Sequence, residues 1–126
     1  MVHGCKPTVL IVDNDDRITL ALSTRFERLG YRCVPALTGA QAISAFRESD
    51  IDVVITDLNM PAGDGVALAS EIRKTSDVPI VFMTGFRDAY RRVTRSVANV
   101  VIMEKPFDMQ RLIDLVEASI EHADRS

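Results

Sequence analysis

The chain is poor in most features that announce a specialised architecture. It has two cysteines, Cys5 and Cys33, too few for a disulfide framework. Cys33 sits in an apolar run and Cys5 in a loose amino-terminal stretch, so both read as reduced thiols. No apolar run approaches the length of a membrane span. The opening Met1-Val2-His3-Gly4-Cys5-Lys6-Pro7 lacks the apolar core of a signal peptide, so a cytoplasmic protein with no membrane association is expected. There is no internal repeat, no low-complexity tract and no linker. The formal net charge is only -3, which argues against nucleic-acid binding by the surface as a whole. What is left is an ordinary globular mixture, 47% hydrophobic and 26% charged over 126 residues, suited to one domain with one core.

Against that background one stretch organises the rest: Asp52-Val53-Val54-Ile55-Thr56-Asp57-Leu58-Asn59-Met60-Pro61. Its short β-branched run reads as a strand buried on both faces, and it delivers Asp57 to the carboxyl edge of a sheet. In open α/β sheets that edge is where ligands and chemistry sit. Thr8-Val9-Leu10-Ile11-Val12 is a similar run, tipped by Asp13-Asn14-Asp15-Asp16. Ile18, Ala21, Leu22, Phe26 and Leu29 follow at helical spacing, closed by Gly30. Tyr31 to Pro35 reads as a short strand, with Pro35 marking an edge or a strand end. Thr38-Gly39-Ala40-Gln41 has capping-box spacing before a helix striped by Ile43 and Phe46. Asp64 is placed to cap a third helix marked by Leu68, Ala69 and Ile72. Val78 to Met83 is a strand ending in Thr84-Gly85, and residues 87–97 read as a helix with Tyr90, Val93 and Val97 on one face. Val100 to Met103 is a fifth strand ending in Glu104-Lys105-Pro106. Asp108 opens a last helix striped by Met109, Leu112, Ile113, Val116 and Ile120.

Strand and helix alternate five times, which implies a parallel sheet with helices on both faces. The domain is expected over residues 8–121, with an amino-terminal extension over 1–7 and a frayed tail over 122–126. The sheet edge then gathers Asp13, Asn14, Asp57, Thr84 and Lys105, each expected just past a strand. Taken singly these residues mean little: an Asp after a strand is usually a turn or cap, a Thr reflects β-propensity, and a Lys is usually solvated. Convergence at one edge changes their weight. Two carboxylates at about 4 Å repel by roughly 4 kcal/mol at an effective dielectric near 20. Lys105 or a hard divalent cation can offset this, and Mg²⁺ accepts one or two carboxylates plus waters and a phosphate. A carboxylate so flanked is suited to accept a phosphoryl group, and a hydroxyl such as that of Thr84 to hydrogen-bond it.

Val9-Leu10-Ile11-Val12-Asp13, Thr56-Asp57-Leu58-Asn59-Met60-Pro61, Asp64-Gly65, Pro79-Ile80-Val81-Phe82-Met83-Thr84 and Glu104-Lys105-Pro106-Phe107 together resemble the receiver domain of two-component response regulators. The resemblance spans roughly Thr8 to Ala118. It implies a flavodoxin-like, doubly wound five-stranded sheet of order 2-1-3-4-5. It implies that Asp57 is the phosphoacceptor, charged from a histidine of a sensor kinase or phosphotransfer protein. Mg²⁺ would be held by Asp13, Asn14, Asp57 and the backbone carbonyl of Asn59. Thr84 would be the switch hydroxyl and Lys105 the phosphate contact, with a cis Lys105-Pro106 bond. Such a domain is a signalling module and not an enzyme beyond its own phosphorylation and dephosphorylation. Its partners would be the phosphodonor and a downstream protein or attached output domain, with homodimerisation through the helix over 87–97, the fifth strand and the last helix.

Three departures from the family pattern stand out. Asn14 replaces the second acid after the first strand, so weaker Mg²⁺ binding is expected; Asp15 is expected to open the helix rather than to substitute. Ile102 replaces the aromatic residue that usually moves with the Thr, leaving Gly85 to lend the backbone freedom after Thr84. The stretch from Thr84 to Lys105 is about one residue short, and Ala98-Asn99 replaces the usual Gly-Ala before the fifth strand. The helix over 87–97 is also basic: Arg87, Arg91, Arg92 and Arg95 form either a solvated face or an output face that docks an acidic partner. Two other functions stay open. One is a receiver whose phosphorylation has lapsed and which acts as a binding module, favoured by Asn14 and Ile102. The other is a phosphatase resembling haloacid dehalogenases, with Asp13 as nucleophile and Asp15 as acid; it leaves Asp57 without a role and needs further acids after the lysine.

Overall fold

A computed structural model describes residues 7–58, 64–85, 97–105 and 108–125. Five strands, β1 (Thr8–Val12), β2 (Arg32–Ala36), β3 (Val53–Asp57), β4 (Ile80–Thr84) and β5 (Val100–Glu104), form one parallel sheet of order β2-β1-β3-β4-β5. The described helices are α1 (Asp16–Arg28), α2 (Gly39–Glu48), α3 (Asp64–Arg73) and α4 (Met109–Arg125). The expected doubly wound order is therefore present.

The sheet is covered on both faces, and strand alternation sorts its side chains into two cores. Leu10, Val12, Val54, Ile80 and Phe82 point to one cluster with Ala42 of α2 and Leu68, Ala69 and Ile72 of α3. Val9, Ile11, Val53, Ile55, Val81 and Met83 point to the other, with Leu22 and Phe26 of α1 and Leu112, Ile113 and Val116 of α4. This explains why β1, β3 and β4 read as unbroken apolar runs rather than alternating ones. Fully burying each such side chain contributes about 1.5–3 kcal/mol.

Several boundaries differ from the sequence reading, each for a local reason. β2 runs one residue later, Arg32–Ala36, because the Arg32 N–H donates to the Pro7 carbonyl at 2.9 Å and pairing begins there. Pro35 lies on this edge strand, where its missing N–H costs least. α1 ends at Arg28, capped by Leu29, and Gly30 follows at φ +97°, a left-handed position that suits glycine. The capping box of α2 is altered. Thr38 accepts from the Gln41 N–H at 3.1 Å, but the Gln41 side chain returns to the Leu37 N–H at 2.9 Å rather than to Thr38. Helix α3 begins at Asp64 itself, and α4 continues to Arg125, through the stretch assigned to the tail. Asp57 and Thr84 are the last residues of their strands rather than the first beyond them.

Gly65, in the first turn of α3, fixes how closely that helix meets the end of β3. A Cβ there would lie 2.8 Å from the Asp57 carbonyl oxygen and 2.9 Å from the Leu58 Cα. These are backbone atoms that cannot turn aside. At Gly85 a Cβ would meet nothing within 4 Å, and the backbone does not require glycine. We therefore expect Gly65→Ala to destabilise the fold: overpacking costs about 1–3 kcal/mol, against a helix-propensity gain of about 1 kcal/mol. Gly85→Ala should be neutral. Urea midpoints of the two variants check this, and equal midpoints would contradict the close approach.

Candidate functional site

The carboxyl ends of β1 and β3, neighbours in the sheet, place two acids side by side. Asp13 follows β1 and is 1% exposed; Asp57 ends β3 and is 5% exposed. Lys105, just past β5, reaches back over the intervening β4. Its Nζ lies 3.6 Å from Asp57 Oδ2 and 4.0 Å from Asp13 Oδ2. The lysine backbone is fixed by its N–H donating to the Thr84 carbonyl at 2.7 Å. Thr84 ends β4, is fully buried, and pairs in register with Glu104. The structure thus brings Asp13, Asp57 and Lys105 together, with Thr84 on the strand between Asp57 and the lysine.

The three residues after β1 take three different roles. Asp13 Oδ1 accepts from the Asp15 N–H at 2.9 Å, while its Oδ2 is buried without a hydrogen-bond partner among the described residues. Asn14 is exposed. Asp15 is the N-cap of α1, accepting from the Arg17 N–H at 3.0 Å, and the Arg17 guanidinium holds the same carboxylate at 3.2 and 3.1 Å. The Arg17 contacts hold the Asp15 carboxyl below its usual range. Asp15 therefore opens the helix, as the sequence suggested.

Burial is the main force on Asp13 and pushes its carboxyl above the ordinary value. The Asp15 N–H opposes this, nearby Asp57 adds to it, and Lys105 again opposes it. A buried carboxylate oxygen with open lone pairs beside a second carboxylate is what a hard cation satisfies. Among the described residues no three His, Cys, Asp or Glu side chains gather to hold a metal. Mg²⁺ does not require three, since one or two carboxylates with waters and a carbonyl suffice. The Asp13 and Asp57 carboxylates thus fit a hard cation such as Mg²⁺.

Ile102 is half-buried and packs against the cluster that contains Phe82 and Val97. Asn59, the Lys105-Pro106 bond and the arginines Arg87, Arg91, Arg92 and Arg95 lie outside the described residues. Two features escaped the sequence reading. One is the Arg17 grip on Asp15, for which the spacing Asp-x-Arg at a helix start is a faint signal. The other is Arg73 at the end of α3. Its Nε donates to the Ala98 carbonyl and its Nη2 to the Asn99 carbonyl, both at 2.8 Å, and its Nη1 donates to the Ser76 carbonyl at 3.1 Å. Burial lowers the affinity of this guanidinium for its proton, with Asp77 partly restoring it.

Fold and edge together define a small doubly wound α/β domain whose acids and one ammonium meet at the carboxyl ends of the strands. The profile of the response regulator receiver domain matches residues 9–117, and the chain belongs to that family. It is 36% identical over 122 residues to the probable transcriptional regulator ycf27 of Guillardia theta, covering 96% of this chain and 48% of that protein. It is 31% identical over 121 residues to the sensor kinase CckA of Brucella abortus, covering 93% of this chain and 13% of the kinase. Among solved structures, the signal receiver domain of an HD domain-containing protein from Pseudomonas fluorescens superposes with a TM-score of 0.89 at 22% identity, covering 97% of this chain and 100% of that one. Chemotaxis protein CheY4 of Vibrio cholerae gives 0.84 at 24% identity, covering 91% and 99%. At these identities the structural likeness is one of fold. The chain spans about half the length, or less, of the curated relatives it matches. No helix among the described residues is long and apolar enough to cross a membrane.

Asp13 gives the site a pH signature. A carboxyl raised in the folded state contributes stability that is fully present below the ordinary carboxylate pKa and lost as pH rises through the raised one. At neutral pH the ionised Asp13 is therefore a liability in the absence of a cation. Asp13→Asn, which keeps the oxygen that accepts from Asp15, should raise the unfolding midpoint at pH 7 without divalent cation. The gain should shrink as pH falls toward 4, and it should narrow when Mg²⁺ is added to both proteins. A variant less stable than the parent at pH 7 would contradict this account.

Proposed function

We propose that this chain is a phosphoacceptor receiver in which Asp57 takes a phosphoryl group from a histidine of a sensor kinase or phosphotransfer protein. The observation that carries the reading is the Asp57 carboxylate, buried yet held 3.6 Å from an ammonium and beside a second acid, one of whose oxygens has no hydrogen-bond partner among the described residues. An Asp57 oxygen attacks phosphorus in line with the P–N bond of the phosphohistidine. The O–P bond forms as the P–N bond breaks, and the imidazole leaves with the electron pair and takes up a proton from solvent. The Lys105 ammonium donates to a phosphoryl oxygen, where developing charge is best met by a fixed donor. Mg²⁺ bound by Asp13, Asp57, the Asn14 amide oxygen and the Asn59 carbonyl would neutralise the phosphoryl oxygens. Water ends the phosphorylated state by attacking phosphorus: the P–O bond to Asp57 breaks, the carboxylate leaves with the electron pair, and inorganic phosphate is released.

The acquired group brings about -1.5 to -2 charge to one point. Thr84 and Lys105, on neighbouring strand ends, are the groups we expect to follow it, and their movement would bias the surface formed by β5, α4 and the segment over 87–97. Ile102 is packed into a core cluster, so no ring reports the change there. The output is a downstream protein, an attached domain or a second copy at that surface; Arg87, Arg91, Arg92 and Arg95 supply its positive charge. Work of this kind belongs in the cytoplasm, where the phosphodonor and nucleotide reside.

The lapsed-receiver reading is favoured by the exposed Asn14, which adds no charge to the cation site. The phosphatase reading is opposed by Asp15, whose carboxylate is committed to the α1 cap and to Arg17. Incubation with acetyl phosphate and Mg²⁺, followed by intact-mass measurement, separates them. A single phosphoryl adduct, lost in Asp57→Asn and retained in Asp13→Ala at high Mg²⁺, is the expected result; no adduct at any Mg²⁺ concentration supports the lapsed module. Asn14→Asp should tighten Mg²⁺ binding by about tenfold, the effect of one added charged ligand on a hard ion. Equal affinities in a titration would remove Asn14 from the metal site.

A further inference from the structure

β5 has a physical problem that β1 and β3 do not share. Its residues Val100, Val101, Ile102 and Met103 are all apolar, as are Ile80, Val81, Phe82 and Met83 of its partner β4. A strand's register is normally specified by the alternation of apolar and polar residues, and a one-residue slip exchanges the two faces. Here a slip exchanges one apolar set for another. Among the described residues β5 also has one strand neighbour, β4, since it lies at the end of the sheet. Yet register decides the chemistry, because the residue that reaches Asp57 is Lys105. One position earlier is Glu104, which would bring a third carboxylate in place of the ammonium.

Something outside the ladder must select Val100↔Ile80 as the first pair. Arg73 is positioned to do so. From the end of α3 its guanidinium binds the two consecutive carbonyls that immediately precede β5, those of Ala98 and Asn99, and also that of Ser76 before β4. Asn99 completes the junction: it sits at φ +57°, and its amide donates to the Asp77 carbonyl at 2.8 Å. One rigid fork thus reads the chain positions ahead of both strands at once. A guanidinium fits this task better than an ammonium, since its donors are held in a fixed plane. The other end of α3 is pressed through Gly65 onto the Asp57 and Leu58 backbone. The same helix therefore ties the register of β5 to the strand that carries Asp57.

We propose that Arg73 is the register pin of β5, and through it a positioning residue for Lys105 at the Asp57 site. The structural half stands without any functional assignment; its consequence for phosphorylation rests on the reading of Asp57 as phosphoacceptor. The test is amide NMR of the full chain with Arg73→Met. The parent should show one set of resonances for Val100–Lys105 and cross-strand contacts for Phe82–Ile102. Arg73→Met should show doubled or exchange-broadened resonances confined to β5 and to the ends of β4. A second substitution separates register from simple loss of packing. Val101 is 38% exposed in the observed register, but a one-residue slip would turn it into the core. Val101→Lys therefore penalises the slipped form, and Arg73→Met/Val101→Lys should recover a single set of resonances. If Arg73→Met fails to fold, the double variant should regain folded protein; failure of that rescue overturns the proposal, as does a single parent-like β5 in Arg73→Met. Phosphoryl adduct formation from acetyl phosphate should fall roughly tenfold in Arg73→Met and recover in the double variant, because the displaced ammonium is a transition-state donor. Absence of adduct in the parent would refute the phosphoacceptor reading and leave the register result standing.

Discussion

The ammonium of Lys105 beside two buried carboxylates is the contact on which the electrostatic balance of this sheet edge depends. Asp13 and Asp57 are nearly inaccessible, and like charges so placed are tolerated only with compensation. The lysine supplies it without closing on either acid. Its separations of 3.6 and 4.0 Å exceed hydrogen-bond length, so it acts as a neighbouring charge rather than a locked ion pair. A looser contact would withdraw that compensation from Asp13, whose carboxyl burial already pushes above its ordinary value.

The parallel sheet makes this meeting cheap to build. Every strand ends at the same edge, so a residue at the tip of any strand arrives at one place without a long loop. The acids come from β1 and β3, each held by ladders on both sides. The ammonium comes from β5, held by one. Thr84 joins the two halves, since its carbonyl anchors the lysine backbone while its strand pairs with that of Asp57. The groups that carry opposite charge thus ride on the best-held and the least-held strands of the sheet. For the phosphoacceptor we propose, that asymmetry would let the cation move while the acids stay.

Much of this was legible in the chain because burial on two faces leaves a simple trace. Unbroken apolar runs ending in Asp57, Asp13 or Thr84 can only be interior strands with polar tips, and helix stripes such as Leu68, Ala69 and Ile72 fell on the buried side. Capping residues were legible in part. Thr38 and Asp15 behave as expected, whereas Gln41 turned to Leu37 because side-chain reach is decided by backbone geometry and not by spacing. Arg73 was illegible for a stronger reason. It makes its bonds to backbone carbonyls, which carry no sequence signature, about 25 residues along the chain. Only Asn99 hinted at it, as a residue tolerant of positive φ in the second position of the departure Ala98-Asn99.

The acids after β1 show how the net charge of the site is set. Three acids lie within four residues, Asp13, Asp15 and Asp16, yet one faces Asp57. Asp15 is spent on the α1 cap and neutralised by Arg17, and Asp16 lies in the first turn of α1, where a negative charge suits the helix dipole. With Asn14 neutral and exposed, Asp13, Asp57 and Lys105 set two carboxylates against one ammonium, a net of -1 among the described residues of this cluster. A further acid at position 14 would draw a divalent cation more strongly, but it would also repel the dianionic phosphoryl group whenever the cation is absent. The neutral amide weakens both effects together. On the phosphoacceptor reading we propose, cation affinity and tolerance of an approaching anion are thus opposite consequences of one residue, and Asn14 tips the balance toward tolerance.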